Sequence, residues 1–370
     1  MCGLLLYLNK EEGVDLESFQ NALNLQESRG PDDYGIICVE SLASKNIKDV
    51  RNFSDAESIK PQLVIGHRRL SIIDTSTDSR QPFLDNNTST FLAYNGEFYN
   101  FEDFATKATR HSDALTLFDL FRSKTIYGLQ EVNGMWATIF GDLSRNKIYL
   151  SRDRYGKKPL YFYHDRNRFI VSSEIKSIYS LTGLSRQVDS EALGYFFIGK
   201  LSPYLNDGSS FYKGVNSVKP GEIISYDLIQ NTISHETNVS FNEPEISFTY
   251  KNEDELAFQL TSDLEDAVKL RLRSDVKVGI LVSGGVDSSS IAGIAAKSAS
   301  VDDLSFYTCH IVGSDNLVTE DLYYSRELAK QLGIELIEIS LEELDQDSFF
   351  SCAKKLSGYA ELPLNLMLSC

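Results

Sequence analysis

This 370-residue sequence has few cysteines, no excess of positive charge and no long apolar run. Its 5 cysteines are odd in number and none lies in a Cys-x-x-Cys pair, which argues against a disulfide scaffold or a zinc site. The 36 Lys and Arg are outnumbered by 53 Asp and Glu, and the net charge of −17 disfavours nucleic acid as a partner. No apolar run approaches the roughly 20 residues that cross a membrane. We therefore expect a cytoplasmic protein that binds neither nucleic acid nor membranes.

The pattern of the chain changes after its middle, which predicts two domains. Residues 1–230 contain short β-like runs between turn residues, interrupted by helical patterns, as in a mixed α and β domain with hairpin-connected sheets. Residues 231–252 are polar and predict a linker. In residues 253–370, helix and strand patterns alternate, which is typical of a doubly wound parallel α/β sheet. The predicted elements there are a helix over 254–273, a strand over 276–282, a helix through 291–297, a strand over 304–311, a helix over 322–332 and a strand over 334–339.

The position of the second residue, a cysteine, matters more than its identity. Removal of Met1 would place a thiol and a free α-amine on one residue, Cys2. An amine with a pKa near ~8 is a usable local base, and an ionised thiol is a strong nucleophile. One residue would then hold both the nucleophile and the base that covalent catalysis requires. The alternative is a cysteine buried in a strand at the start of the chain.

A loop rich in serine and glycine, residues 283–289, lies between a predicted strand and a predicted helix. Its glycines permit a tight turn, and the helix N-terminus that follows favours an anion. We expect a pyrophosphate group there, with Asp287 beside a divalent cation. The loop lacks the lysine of a Walker P-loop and any G-x-G-x-x-G pattern, and Leu281 replaces the first glycine of a nucleophile elbow. The alternative is a glycine-rich turn capped by serines.

Further motifs accompany these two features and extend over nearly the whole chain. They are residues 29–33, 66–74, 94–100, 132–136, 152–161 and 172–176. In this order the chain resembles the glutamine-dependent asparagine synthetases, in which a class II glutamine amidotransferase domain precedes an ATP-pyrophosphatase-type domain. The resemblance implies an N-terminal-nucleophile αββα sandwich followed by a parallel α/β adenine-nucleotide-hydrolase-like domain.

The resemblance also implies roles for single residues of the first domain. Cys2 would attack the side-chain amide of glutamine, and the Asn95 side chain and Gly96 N–H would stabilise the oxyanion. Taken separately, Asn95-Gly96 is also a hairpin-turn pair. His67 is expected to be structural, because the amine already provides the base. The implied glutamine-binding residues are Arg69 for the α-carboxylate, Glu97 and Asp113 near the ammonium, Leu70, Ile72 and Ile73 as pocket lining, and Asn95 and Gly96.

Two of these residues have simpler interpretations when they are considered alone. Arg69 could form a surface ion pair, and Asp113 could be the N-cap of the helix that follows it. In the second domain, the resemblance implies ATP over the serine-glycine loop and Mg²⁺ at Asp287. The helix containing Asp321 is expected to serve mainly in packing. The implied ATP-binding residues are Leu281, Ser283, Gly284, Gly285, Val286, Asp287, Ser288 and Thr308.

The implied reaction uses ATP and transfers glutamine-derived ammonia to aspartate through a β-aspartyl adenylate. The synthetases continue into a Ser-Gly-x-Gly-x-Asp-Glu segment that these 370 residues do not contain. We expect the sequence to be a fragment, a chain completed by a second polypeptide that supplies the C-terminal half, or a shortened relative; such proteins are often homodimers. The alternatives are a stand-alone glutaminase with a remnant nucleotide-binding domain, an amidotransferase acting on another carboxylic acid, and a regulatory protein that senses glutamine or ATP.

Overall fold

The computed structural model describes residues 1–50, 53, 60–198, 208–238, 252–312, 320–342 and 351. The chain divides into two compact units, one on either side of residues 239–251. Within the described ranges, none of the helices combines the length and the apolar character that a membrane span needs.

The first unit is built on two antiparallel sheets. Its strands are β1 (Gly3–Asn9), β2 (Asp33–Ser41), β3 (Asn46–Val50), β4 (Leu63–Arg69), β5 (Phe83–Asp85), β6 (Thr90–Phe98), β7 (Gly134–Asp142), β8 (Lys147–Arg152), β9 (Tyr161–His164), β10 (Arg168–Ser172), β11 (Asn216–Ser217), β12 (Glu222–Asp227) and β13 (Thr232–Asn238). One sheet has seven strands in the order β11-β9-β10-β1-β4-β2-β3. The other has six strands in the order β13-β12-β8-β7-β6-β5.

Helices cover the outer faces of both sheets, so the first unit has four layers. The helices are α1 (Leu16–Asn24), α2 (Asp113–Lys124), α3 (Ile175–Thr182) and α4 (Ser190–Phe197). Helices α1 and α3 pack in one core against the seven-stranded sheet, and α2 packs in another against the six-stranded sheet. A further core lies between the two sheets. This arrangement confirms the expected αββα sandwich.

Strand β1 shows why its sequence reads as a continuous apolar run. Side chains of a strand alternate between its two faces. Leu4 and Leu6 enter the core between the sheets, whereas Leu5 and Tyr7 enter the core beneath α1 and α3. Both faces are therefore buried, and burying each leucine fully contributes roughly 1.5–3 kcal/mol relative to leaving it exposed. Burial of this strand holds the start of the chain inside the unit.

The second unit is a parallel α/β structure, as predicted. Its elements are α5 (Glu253–Arg271), β14 (Val278–Leu281), α6 (Val286–Ser298), β15 (Leu304–Val312), α7 (Glu320–Leu332) and β16 (Leu336–Glu342). The strands pair in parallel in the order β14-β15-β16. Apolar side chains from α5, β14, α6 and β15 share one core. The predicted element types are confirmed, with bounds that differ by a few residues.

The start of the predicted linker is wrong. Residues 232–238 form β13, an edge strand that pairs with β12 in the six-stranded sheet. Its polar sequence suits an edge position, where polar and charged side chains discourage pairing with another chain, and that polarity suggested a linker. Residues 239–251 lie outside the described residues. Asn252 is the N-cap of α5, accepting a hydrogen bond from the Glu255 N–H at 2.9 Å.

Candidate active site

A cleft in the first unit brings together the predicted catalytic and glutamine-binding residues. Its open space is about 590 Å³. Residues from the start of β1, the end of β4, the end of β6 and the start of α2 contribute to its wall. The predicted residues that line it are Cys2, Arg69, Leu70, Ile72, Ile73, Asn95, Gly96, Glu97 and Asp113.

Cys2 is half-buried and is held on several sides. The Leu70 N–H lies 3.4 Å from the Cys2 Sγ, and the Leu70 carbonyl lies 3.7 Å from it. The Cys2 backbone N–H donates to Asn95 Oδ1 at 3.0 Å. Arg29 Nε donates to the Cys2 carbonyl at 3.0 Å. Four contacts thus place the thiol and the backbone nitrogen of Cys2 at the wall of the cleft.

The electrostatic surroundings of Cys2 act in opposing directions. Burial raises the pKa of the thiol, because the charged thiolate loses solvation. The Leu70 N–H and the positive charges of the amino terminus, Lys158 and Arg69 favour the thiolate and lower that pKa. Burial lowers the pKa of the amino terminus at Met1, and the charge of Lys158 acts in the same direction. These surroundings therefore shift the amino terminus of Met1 towards its neutral form.

Asn95 and Gly96 lie within strand β6, not in a hairpin turn. They pair with Ala137 and Trp136 of β7. Asn95 is 1% exposed, and its Nδ2 is buried with no hydrogen-bond partner among the residues that the structure describes. A Cβ at position 96 would lie 2.1 Å from the Met135 carbonyl oxygen, so this backbone approach requires glycine. The strand pairing therefore leaves one amide donor of Asn95 available.

Arg69, at the end of β4, is buried and does not match the alternative of a surface ion pair. Its guanidinium donates to the Ser76 carbonyl at 2.6 Å and to the Asp74 carbonyl. Arginine has five N–H donors, so these contacts orient the group and leave it able to bind a carboxylate. A positive charge is thereby fixed in the cleft wall.

Asp113 is the first residue of α2, and Ser112 rather than Asp113 is the N-cap. The Asp113 carboxylate accepts from the Phe98 N–H at 3.0 Å, the Ala114 N–H at 2.8 Å and, more distantly, the Tyr94 hydroxyl at 3.4 Å. Burial raises its pKa to about 6, although these hydrogen bonds act in the opposite direction. The cleft therefore holds an acid that is ionised at neutral pH.

Lys158 also lines the cleft, although sequence reasoning assigned it no role. It follows Lys157 within a recognised motif, and nothing in the residue pattern shows that only the second lysine is buried. His67 has the structural position expected for it. It is buried with Nε2 3.1 Å from the Tyr94 carbonyl, and burial lowers its pKa to about 3, so the ring is neutral.

The serine-glycine loop joins β14 to α6, as predicted. Gly284 has φ +74°, and a Cβ there would lie 2.6 Å from the Asp321 carbonyl oxygen. The Ser288 hydroxyl accepts from the Ser283 N–H and donates to the Gly285 carbonyl, both at 3.2 Å. Serine capping of the turn is therefore present, as the alternative interpretation expected. It leaves exposed Leu281, Ser283, Gly285, Val286 and Asp287.

Thr308 differs from the other predicted ATP-binding residues because it is buried. It lies in β15, next to Tyr307, whose carbonyl accepts from the Val282 N–H at 2.8 Å. Leu281, the last residue of β14, pairs with Tyr307, so Thr308 is level with the carboxyl end of β14, where the loop begins. Parallel sheets usually bind ligands at the carboxyl ends of their strands. Asp287 offers a single exposed carboxylate. In the described part of the chain, no three His, Cys, Asp or Glu side chains come together to hold a metal ion.

Two protein families match the chain, one in each half. Residues 52–237 match the glutamine amidotransferase domain, and residues 259–364 match asparagine synthase. The structure of the Bacillus subtilis glutamine phosphoribosylpyrophosphate amidotransferase with ADP and GMP covers 91% of this chain and 90% of its own, at 15% identity and a TM-score of 0.48.

Curated relatives carry two kinds of name. A putative glutamine-hydrolysing asparagine synthetase 2 of Methanocaldococcus jannaschii is 29% identical over 85% of this chain and 60% of its own length. The amidase chry2 of Gibberella zeae is 28% identical over 96% of this chain and 51% of its own length. The chain thus spans about half the length of the curated relatives it matches. On these matches the chain belongs to the class II glutamine amidotransferases, and its amidotransferase domain is followed by a domain that matches asparagine synthase.

Proposed function

We propose that the first unit releases ammonia from glutamine, with Cys2 as the nucleophile. One observation carries this proposal: a single cleft contains a thiol, an unpartnered amide donor, a guanidinium and an ionisable carboxyl, those of Cys2, Asn95, Arg69 and Asp113. These groups complement the amide, α-carboxylate and α-ammonium of glutamine.

The reaction begins when the α-amine of Cys2, free after removal of Met1, accepts the thiol proton. The thiolate attacks the amide carbon of glutamine, and the oxyanion that forms accepts hydrogen bonds from Asn95 Nδ2 and the Gly96 N–H. The amine returns its proton to the leaving nitrogen, and ammonia departs. Water then hydrolyses the thioester, releasing glutamate and regenerating Cys2. In the structure, Asn95 Oδ1 already holds the nitrogen that becomes this amine.

Binding of glutamine depends on its charged end. Arg69 presents a guanidinium to the α-carboxylate, a task that suits its planar fork better than a lysine. Asp113 and Glu97 present carboxylates to the α-ammonium. Leu70, Ile72 and Ile73 line the same cleft beside the thiol. This arrangement favours a free amino acid over an amide that lacks the charged groups.

For the second unit, we propose binding of ATP over residues 283–288 and transfer of the ammonia to aspartate through a β-aspartyl adenylate. The asparagine synthase match and the names of the relatives support this proposal. The N-terminus of α6 favours the phosphates, and phosphate oxygens would replace the contact between Ser283 and Ser288. The described residues do not form a site for Mg²⁺ by themselves, since Asp287 is a single carboxylate. A cytoplasmic location fits this chemistry and remains part of the proposal.

A second candidate function is an amidotransferase that acts on another carboxylic acid. The amidase chry2, which matches almost the whole of this chain, favours it. The two candidates share the glutaminase step and differ in the acceptor. A chain that only hydrolyses glutamine is the third outcome of the same experiment.

The experiment measures two products from the purified chain. Glutamate release reports the first unit, and ATP-dependent pyrophosphate release with aspartate or with other carboxylic acids reports the second. We expect Cys2→Ala to abolish glutamate release, because the nucleophile is lost. Cys309→Ser, which changes an exposed cysteine of the second unit, serves as the control and should retain it. Unchanged glutamate release from Cys2→Ala would refute the proposal.

A further inference from the structure

The reaction proposed above leaves one charged group of the cleft without a task. Lys158 is 8% exposed and lines the cleft with Cys2 and Glu97. Lysine is almost never buried so fully unless it is paired, because an ammonium loses its hydration there. Burial accordingly lowers its pKa, while the charges of Glu97 and Cys2 act in the opposite direction. Because burying the Lys158 ammonium costs hydration free energy, its position in the cleft indicates a function.

The backbone that carries Lys158 is held firmly on both sides. The Asp153 carboxylate accepts hydrogen bonds from the N–H groups of Tyr155, Lys157 and Lys158 at 3.1, 3.0 and 2.9 Å. The Arg152 guanidinium donates to the Lys158 carbonyl at 2.8 Å. The loop between β8 and β9 therefore aims one lysine at the cleft and leaves its neighbour exposed.

The charges around Cys2 explain what this cation does. A positive charge stabilises the thiolate and disfavours a second positive charge on the amine. Both effects extend to lower pH the state of Cys2 in which the amine is unprotonated, and so available as a base, and the thiolate is stabilised. The charged and titratable groups that interact with the amino terminus of Met1, the Cys2 thiol or Lys158 are Arg29, Asp32, Arg69, Glu97, Asp153 and the three groups themselves.

We infer that Lys158 is a positioning residue of the glutaminase, holding positive charge beside Cys2 so that the amine is neutral and the thiolate is stabilised at neutral pH. This inference rests on the proposed function, because it assigns the amine and the thiol of Cys2 their roles. Lys158 touches neither the leaving nitrogen nor the oxyanion in this scheme. It acts through Cys2.

The test compares Lys158→Met with Lys158→Arg, and with Lys157→Met as a matched control that removes an exposed lysine one position earlier. The chain is used after Met1 removal, verified by its mass. The first readout is kcat/KM for glutamine against pH. The second is the rate of Cys2 alkylation by iodoacetamide against pH, followed on the Cys2 peptide, which requires no glutaminase activity.

We expect Lys158→Met to move the acid limb of both profiles to higher pH by about one unit, since the pKa values of both the amine and the thiol rise when the cation is lost. At the wild-type midpoint this lowers the alkylation rate several-fold, up to about tenfold. Lys158→Arg keeps the charge and should keep the wild-type profile, and Lys157→Met should superimpose on it. Where Lys158→Met does not fold, Lys158→Gln provides the neutral variant.

Unshifted profiles in the neutral variants, even with lower activity, would show that Lys158 only supports the structure and would overturn the inference. A shifted profile in Lys158→Arg equal to that of Lys158→Met would overturn it too, because charge would not be the cause. If alkylation shifts as expected but the wild-type chain releases no glutamate, the proposed function fails and the assignment of Lys158 to Cys2 stands. The two failures are therefore distinguishable.

Discussion

The acid in the cleft leads to a quantitative prediction about glutamine binding. Asp113 has a pKa raised to about 6 because it is buried. If the ionised carboxylate binds the α-ammonium of glutamine, protonation removes that attraction. We therefore expect the Kd for glutamine to be constant above about pH 7 and to rise as the pH falls through 6.

The magnitude follows from the fraction of Asp113 that is ionised. At pH 5, one unit below a pKa of about 6, roughly a tenth of the carboxyl is ionised, so the Kd is expected to rise about tenfold. An aspartate with an ordinary pKa of ~3.9 would stay largely ionised at pH 5 and would give almost no change. The change in Kd at pH 5 therefore distinguishes a raised pKa of Asp113 from an ordinary one.

The assay is calorimetric titration of Cys2→Ala with glutamine between pH 5 and 8, because this variant binds glutamine without consuming it. Asp113→Asn in the same background should bind weakly at all of these pH values and lose the pH dependence. Asp119→Asn, a change on the same helix at a residue paired with Arg122, is the matched control. A Kd that is flat from pH 5 to 8 in Cys2→Ala would refute the role of Asp113.

Two further predictions concern strand β6. Asn95→Ala should lower the kcat for glutamate release by ~10² to 10³, since the unpartnered Nδ2 is lost as an oxyanion donor; a rate within twofold of wild type would contradict this role. Gly96→Ala should destabilise the first unit by roughly 1–3 kcal/mol or more, because the added methyl would lie 2.1 Å from the Met135 carbonyl oxygen. Thermal unfolding measures this loss of stability. An unchanged Tm would contradict the prediction, because it would mean that β7 shifts to make room for the methyl without loss of stability.

The sequence predicted the parts of this structure in which local pattern and fold agree. Strand β1 could be predicted because both of its faces are buried, so its sequence is a continuous apolar run that indicates a buried strand without any knowledge of the tertiary structure. The loop at 283–289 could be predicted because its glycines and serines lie between a strand and a helix. The residues around Cys2 were identified by resemblance, and the structure brings them into one cleft.

Other features depend on contacts between distant segments and could not be predicted. Strand β13 is polar because it lies at a sheet edge, and its pairing with β12 decides its structure. Lys158 is turned inward because Asp153 and Arg152 hold the surrounding backbone, and adjacent lysines look alike in a sequence. The roles proposed for Arg69 and Asp113 likewise depend on burial, which their own neighbours in sequence do not reveal.

The contact between Cys2 and Asn95 also determines which way the Asn95 amide faces. The backbone nitrogen of Cys2 donates, so only the oxygen of the amide can stand opposite it. The NH₂ group must then point to the other side, and a reversed amide would set two donors against each other. An aspartate could hold the nitrogen of Cys2 but would bring a negative charge to the place where the oxyanion forms. The orientation of the Asn95 side chain thus links the nitrogen of Cys2, which takes the thiol proton, to Asn95 Nδ2, which stabilises the oxyanion.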